Sequence, residues 1–355
     1  MLSDKLLLSA QPSPADIGPN LFVWGNASSG RIGLGDLVSR SSPVQLPGTW
    51  NSATLGYLNG AGIRQDGSLW LWGANGTGSL GQGDTIYRSS PVQVLGTWTF
   101  ASLGNLHSSA LKADGSLWMW GYGGRGYLGL GNTVWRSSPV QLTGTWAVTS
   151  LGYFHSAALR SDGSLWIWGY GNFGALGLGE DPGVNRSSPA QLAGTWISVS
   201  AGRRTSAALR HDGSAWVWGY NGVGRLGLGD TIWRSSPVQL AGTWRSVTIA
   251  ENGGAGLKPD GSLWMWGNGT TGRLGLGATE VRSSPTQVPG TWISLRMAGD
   301  HSSAVRADDS LWIWGSGTSG RLGLGDASVN RSSPVQLSGS WKSASIRTAS
   351  SGLRF

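Results

Sequence analysis

"WAVTSLGYFHSAALRSDGSLWIWG" occupies residues 146–169, and "SSPAQL" follows at 187–192. Four short apolar runs stand in this stretch: WAVTSLG (146–152), SAALR (156–160), SLWIWG (164–169) and SSPAQL. The second and third are separated by Asp162-Gly163, a tight-hairpin dipeptide whose glycine tolerates positive φ. None of the runs has a helical period. The unit therefore reads as four antiparallel strands.

The unit recurs. Trp-Gly falls at Trp24, Trp72, Trp120, Trp168, Trp218, Trp266 and Trp314, in steps of 48, 48, 48, 50, 48 and 48 residues. A second tryptophan, in GTW or GSW, falls at Trp50, Trp98, Trp146, Trp196, Trp244, Trp292 and Trp341. The Asp-Gly turn stands at 66–67, 114–115, 162–163, 212–213 and 260–261, and becomes Asp308-Asp309 in one unit. Seven four-stranded units of even spacing predict an all-β fold, a seven-bladed β-propeller. SLWIWG is apolar at successive positions, as a strand covered on both faces would be. The Trp pairs such as 70/72 and 166/168 are expected to fill the space between blades. The chain opens with only the third and fourth strands of a unit and closes with only the first and second. Residues 341–355 should therefore pair beside residues 20–46, removing the open sheet edges. Residues 1–19 read as an N-terminal extension, an arm or a flexible segment, and 20–355 as the propeller.

Composition agrees. Gly is 60 of 355 residues, without a collagen period, and Trp is 22, too many for disorder. There is no Cys, so neither a disulfide framework nor a thiolate metal site exists. No run of 18 apolar residues occurs, and membrane insertion is not expected.

The pattern of WG, then G-x-LG-x-GD, a Pro-containing strand, G-x-x-HS and a DG turn resembles the regulator-of-chromosome-condensation repeat family over about residues 20–355. The resemblance implies the same seven-bladed fold. Members of that family serve as nucleotide exchange factors, ultraviolet photoreceptors, enzyme inhibitors and surface proteins of bacterial viruses. An exchange factor uses a wedge inserted in one blade and a basic arm. Here the largest insertion is two residues near EDPGVN (180–185), and the first 20 residues hold one Lys. The photoreceptor motif has Trp after Gly, where this chain has GYLNG, GNLHS, GYFHS and GRRTS. Neither role is expected.

The net charge of +8 invites a nucleic-acid reading. Yet 14 of the 26 cations are repeated parts. Seven are the Arg of RSSP, suited to capping loop carbonyls or pairing with Asp36 or Asp230. Seven more, Arg64 to Arg354, end the second strands. Nucleic acid is not an expected partner. G-x-G-x-x-G occurs four times, as in GYGGRG (121–126), but LGLGD follows instead of a helix. No helix N-terminus meets a phosphate there, and no cofactor is expected. His107, His155 and His301 share one repeat position on separate blades, which suits hydrogen-bonded structural histidines better than a metal site. No nucleophile–base pair appears, so no catalytic residue is assigned.

Repeated positions report architecture, and unlike positions are free to specialise. These gather in the first–second and third–fourth connections, which share one face. Aromatics concentrate there in the middle units: Tyr122, Tyr127, Trp135, Tyr153, Phe154, Tyr170, Phe173, Tyr220 and Trp233, with Arg125, Arg203 and Arg204 among them. These twelve residues are the candidate partner-binding patch. They also suit a sugar-binding surface, or they simply pack the long loops together. The near-identity of the repeats resembles propellers of bacterial viruses. The expected function is a non-enzymatic virion component, a capsid decoration or tail appendage, with capsid or tail proteins and a host-surface glycan as partners. The rival expectation is a soluble cytoplasmic protein–protein adaptor or inhibitor.

Overall fold

The computed structural model describes residues 20–180 and 183–354; the expected N-terminal arm at 1–19 lies outside them. Seven four-stranded antiparallel sheets form. In the unit quoted above the strands are Val148–Leu151, His155–Leu159, Ser164–Gly169 and Arg186–Thr195, paired in that order. Numbered along the chain, blades 1 to 6 cover 50–97, 100–142, 148–195, 198–243, 246–291 and 294–340. Blade 7 is a composite. Asn20–Gly25 pairs with Ala349–Arg354, in the register Asn20 to Arg354 and Gly25 to Ala349, so the two ends of the propeller share one sheet.

The core is seven wedges, one per junction. A typical wedge takes Ala157, Leu159 and Ile167 from blade 3 and Val199, Ala208 and Trp218 from blade 4. The Trp of each Trp-Gly is fully buried in such a wedge. Its indole N–H donates across the junction to a carbonyl of the preceding blade. Trp72 reaches Arg31 O (2.9 Å), Trp168 reaches Tyr127 O (3.0 Å) and Trp24 reaches Arg321 O (3.1 Å), and Trp120, Trp218, Trp266 and Trp314 do the same. Phe would fill this volume but leave the carbonyl short of a donor, which explains why the residue is Trp. The glycine facing each indole is fixed by the same contact. A Cβ on Gly129, at φ +72°, would lie 2.8 Å from the Trp168 ring.

The first Trp of each pair departs from expectation. Trp70, Trp118, Trp166, Trp216, Trp264 and Trp312 are only partly buried. Each donates its N–H to a serine two residues earlier, as Trp70 does to Ser68 (2.9 Å). The cation ending the second strand covers it. Arg64 lies 4.0 Å above Trp70 and 5.1 Å above Trp50, and Lys112, Arg160, Arg210, Lys258 and Arg306 repeat the stack. Arg354 completes the set on Phe22 and Trp341. A cation held against two rings is worth roughly 0.5–2 kcal/mol. The RSSP arginines are used too. Arg40, Arg88 and Arg234 each pair with the Asp four residues before at 2.6 Å, and Arg331 pairs with Asp326 at 2.7 Å. Hydrogen bonds from the Arg40 guanidinium and the Val38 N–H hold the Asp36 carboxyl below the usual carboxylate range. These cations are engaged in contacts within the fold.

The one irregular hairpin turn is compensated. Five units hold Gly at the second turn position, where a Cβ would meet a threonine methyl at 2.6–2.7 Å. Asp309 occupies that position with φ +60°. The threonine of GTW is there Ser340, which has no methyl. The two departures from the repeat are thus one steric pair.

The histidines of the second strands are fully buried. His107 Nε2 meets Ser156 Oγ of the next blade at 2.9 Å, His155 meets Ser206 at 2.8 Å and His301 meets Ser350 at 2.9 Å. Each serine hydroxyl donates onward to a carbonyl, Ser156 to Tyr127 O at 2.8 Å, so Nε2 must carry the proton. Desolvation pulls the imidazole pKa down to about 3 for His107, about 4 for His155 and about 3 for His301. Where the next blade has Gly instead of Ser, at Gly60 and Gly254, the preceding blade has Ala349 and Thr205 rather than His.

Candidate functional site

Antiparallel order puts the first–second and third–fourth connections of every blade on one face. Around the axis, seven equivalent loop residues meet: Tyr57, Asn105, Tyr153, Arg203, Glu251, Gly299 and Arg347. Tyr57 and Tyr153 come from blades 1 and 3, and their rings touch edge to face at 4.7 Å across the intervening blade 2. Arg347 stacks on Tyr57 at 5.1 Å, Arg203 stacks on Tyr153 at 5.2 Å, and Arg203 pairs with Glu251. Burial pushes the Tyr57 hydroxyl up to about 12.

All twelve candidate residues join one continuous set of contacts. Tyr122 packs on Trp135 (4.9 Å) and on Tyr127 (5.1 Å), and Tyr127 reaches Phe154 at 6.4 Å. Phe154 touches Tyr153 (4.4 Å) and Tyr170 (5.8 Å), and Arg125 lies 4.3 Å over Tyr170. Arg204 bridges Phe154 and Phe173, at 5.6 and 4.8 Å. Phe173 packs on Trp233 (4.4 Å) and Tyr220 (5.1 Å). Arg125 and Phe173 hold φ of +60°, but Ser29, Thr271 and Ser319 at equivalent positions do likewise, so this backbone belongs to the loop and not to the patch. Tyr127 is buried and forms the floor. Trp135 and Trp233 are 53% and 46% exposed, one at each end of the patch. Loop packing and an exposed aromatic surface thus coexist in the same residues.

Several residues of the loop face were not singled out by sequence. Tyr57 and Glu251 sit in the first–second loops, but their partners lie on other blades. Arg225 stacks on Tyr220 at 4.7 Å, and desolvation lowers its pKa. On the opposite side Asp300 receives Arg321 (3.0 Å) and Arg273 (3.4 Å), while Arg31 donates to Thr348 Oγ1 (2.6 Å) and Tyr57 O (3.2 Å). Arg31, Arg225, Arg273 and Arg321 share a repeat position with Ser79, Tyr127 and Ala175, and that alternation was the available signal. Among the described residues no three His, Asp or Glu side chains are grouped to hold a metal ion, and no helix is long and apolar enough to cross a membrane.

A family model described as RCC1-like domain matches residues 20–355. Human WBSCR16 is similar in structure, with a TM-score of 0.84 and 22% identity over 94% of this chain and 98% of that one. Yeast RCC1 (Prp20) bound to Kap60 gives a TM-score of 0.86 and 20% identity over 99% of this chain and 91% of that one. Prp20p from Saccharomyces cerevisiae, a protein with binding properties to Gsp1p and histones, gives 0.86 and 20% over 99% and 96%. No curated protein matches the chain in sequence.

These likenesses correct the virion reading. They are to proteins of human and yeast, and nothing ties the chain to a virus particle. Capsid or tail proteins as partners, the host-surface glycan and the virion as location fall with it. The repeated junction residues have a physical cause: seven junctions each use the same indole donor, facing glycine and stacked cation.

Proposed function

The chain belongs to the RCC1-like domain family, and on that premise we propose that it is a non-enzymatic protein–protein adaptor that presents its loop face over blades 2–4 to a protein partner. The observation that supports this reading is the aromatic–arginine patch ending in two half-exposed tryptophans, Trp135 and Trp233. Tyr, Trp and Arg on a rigid floor supply large contact area at small entropic cost. The floor is rigid because the same residues that present the patch are fixed by the junction bonds: Tyr127 O accepts from both Trp168 and Ser156.

The similar yeast protein is described by its binding to Gsp1p and histones, so Gsp1p and histones are the first probes. Binding is measured by calorimetry for the wild type and for the W135A/W233A pair, with thermal unfolding as the check on folding. The reading expects at least a tenfold loss of affinity in the variant with unchanged unfolding. Equal affinity in both proteins removes the patch as the docking site. A photo-crosslinker at position 135 should capture the partner, and one at Leu95, an exposed residue at the other end of its blade, should not.

A further inference from the structure

A cavity of about 520 Å³ runs along the axis between the first strands of the blades. Its lining runs from the Asp66-Gly67 turn inward to Thr54, Ser102, Ser150 and Ser345. It therefore opens on the hairpin face, away from the aromatic patch. Beyond those hydroxyls, toward the loop face, Tyr57 and Tyr153 meet across the axis.

The hydroxyls occupy one register position of the first strand, and six blades carry Ser or Thr there: Thr54, Ser102, Ser150, Ser200, Thr248 and Ser345. In blades 2, 3, 4 and 7 that hydroxyl accepts an N–H from the next blade, Leu151 at 3.2 Å, Ala201 at 2.9 Å, Ile249 at 3.0 Å and Leu55 at 3.0 Å. Blade 6 breaks the rule with Arg296. A guanidinium cannot accept, so this blade forgoes such an inter-blade bond. Its charge is also uncompensated. Arg296 donates through Nη1 to Leu295 O of its own strand at 3.0 Å, and no carboxylate pairs with it among the described residues. The Arg296 side chain is half-buried, desolvation lowers its pKa, and it is among the residues that line the cavity. Arginine stays protonated even so. Even a half-buried cation without a counter-charge carries a desolvation cost that a bound anion offsets.

We propose that this axial cavity binds a small organic anion, a carboxylate or phosphate ester, with its oxyanion on Arg296. The remaining guanidinium N–H groups offer a fork suited to two oxygens of one anion. Ser102, Ser150 and Ser345, which line the cavity and accept an amide, still have their own protons to donate. One guanidinium balances a single negative charge, and the volume admits a molecule of low mass rather than a polymer. Asp66 at the mouth is occupied, since its Oδ1 accepts from the N–H and hydroxyl of Ser68, at 2.9 and 2.6 Å.

The test compares the wild type with R296S, which restores the hydroxyl that six blades carry, and with R296K. Thermal unfolding is followed in inorganic phosphate, in acetate and in chloride at equal ionic strength. The wild type should gain roughly 2 °C or more in phosphate or acetate over chloride, saturating with concentration. R296S should show no such gain, and R296K a smaller one. A response to phosphate alone assigns the phosphoryl class, and to acetate alone the carboxylate class. Equal gains in wild type and R296S, or no gain in the wild type, overturn the proposal. The W135A/W233A variant should keep the full anion response, which separates this site from the loop face.

Discussion

Over blades 2–4 the loop face is aromatic; over blades 5–7 it is ionic. The first sector rests on Tyr127 and Ala175 and is covered by Phe154, Tyr170 and Phe173. The second rests on Arg273, Arg321 and Arg31, which converge on Asp300 and on Thr348. Beneath both, the junctions are alike: the same Trp donor, the same carbonyl, the same histidine or its substitute. What differs is the side chain of the carbonyl-bearing residue and the loop residues packed over it. The scaffold therefore tolerates opposite chemistries at one position because its backbone, and not its side chain, makes the structural bond.

If that is so, core substitutions should not distinguish the sectors. Trp168→Ala under the aromatic sector and Trp314→Ala under the ionic one should each cost about 3–5 kcal/mol by chemical unfolding. A difference larger than about 1 kcal/mol between them would break the equivalence of the floors.

Acid should act beneath both sectors. The folded pKa values of His107, His155 and His301 lie below the ordinary 6.5, so the unfolded chain binds their protons first. Their contribution is complete above pH 6.5 and falls as pH drops toward 4, by about 1.4 kcal/mol per pH unit for each histidine. Two lie under the aromatic sector and one under the ionic sector. Unfolding midpoints of H301N and H155N between pH 7 and 4.5 should each show a shallower slope than the wild type. An unchanged slope would mean the imidazole is not held neutral.

Salt should separate the sectors. Asp300 is 46% exposed, so screening trims its value. Asp300→Asn should cost about 0.5–1 kcal/mol at low ionic strength and almost nothing in 0.5 M salt. Phe154→Ala should cost about 1–3 kcal/mol at either ionic strength. Matching salt dependence in the two variants would merge the sectors into one.

The smallest effect concerns the compensated turn. Ser340→Thr should cost about 1 kcal/mol beside Asp309 and nearly nothing in an Asp309→Gly background. An additive double-mutant cycle would show that the two residues are not coupled.

The fold was legible because each Trp-Gly marks one blade and because the missing strands at one end appear at the other. The patch was legible because divergence among copies exposes the positions freed from packing. Pairing across the axis was not. Tyr57 and Tyr153 are equivalent residues two repeats apart, and the period alone does not say that two copies from non-adjacent blades touch. Arg296 escaped notice because one unlike letter in an inner strand resembles an ordinary exposed position until the strand is placed at the axis. The viral reading failed at a different step: it took the near-identity of the copies as a mark of bacterial-virus propellers, and the similar structures are proteins of human and yeast.

The composite blade sets a condition on how the ring comes into being. Asn20–Gly25 leaves the ribosome long before Ala349–Arg354, its hydrogen-bonding neighbour. Throughout that delay the early strand can pair with another nascent chain instead of its own distant segment. The fidelity of assembly then turns on a race between synthesis of the remaining six blades and capture by a stranger, a race that slow translation would lose.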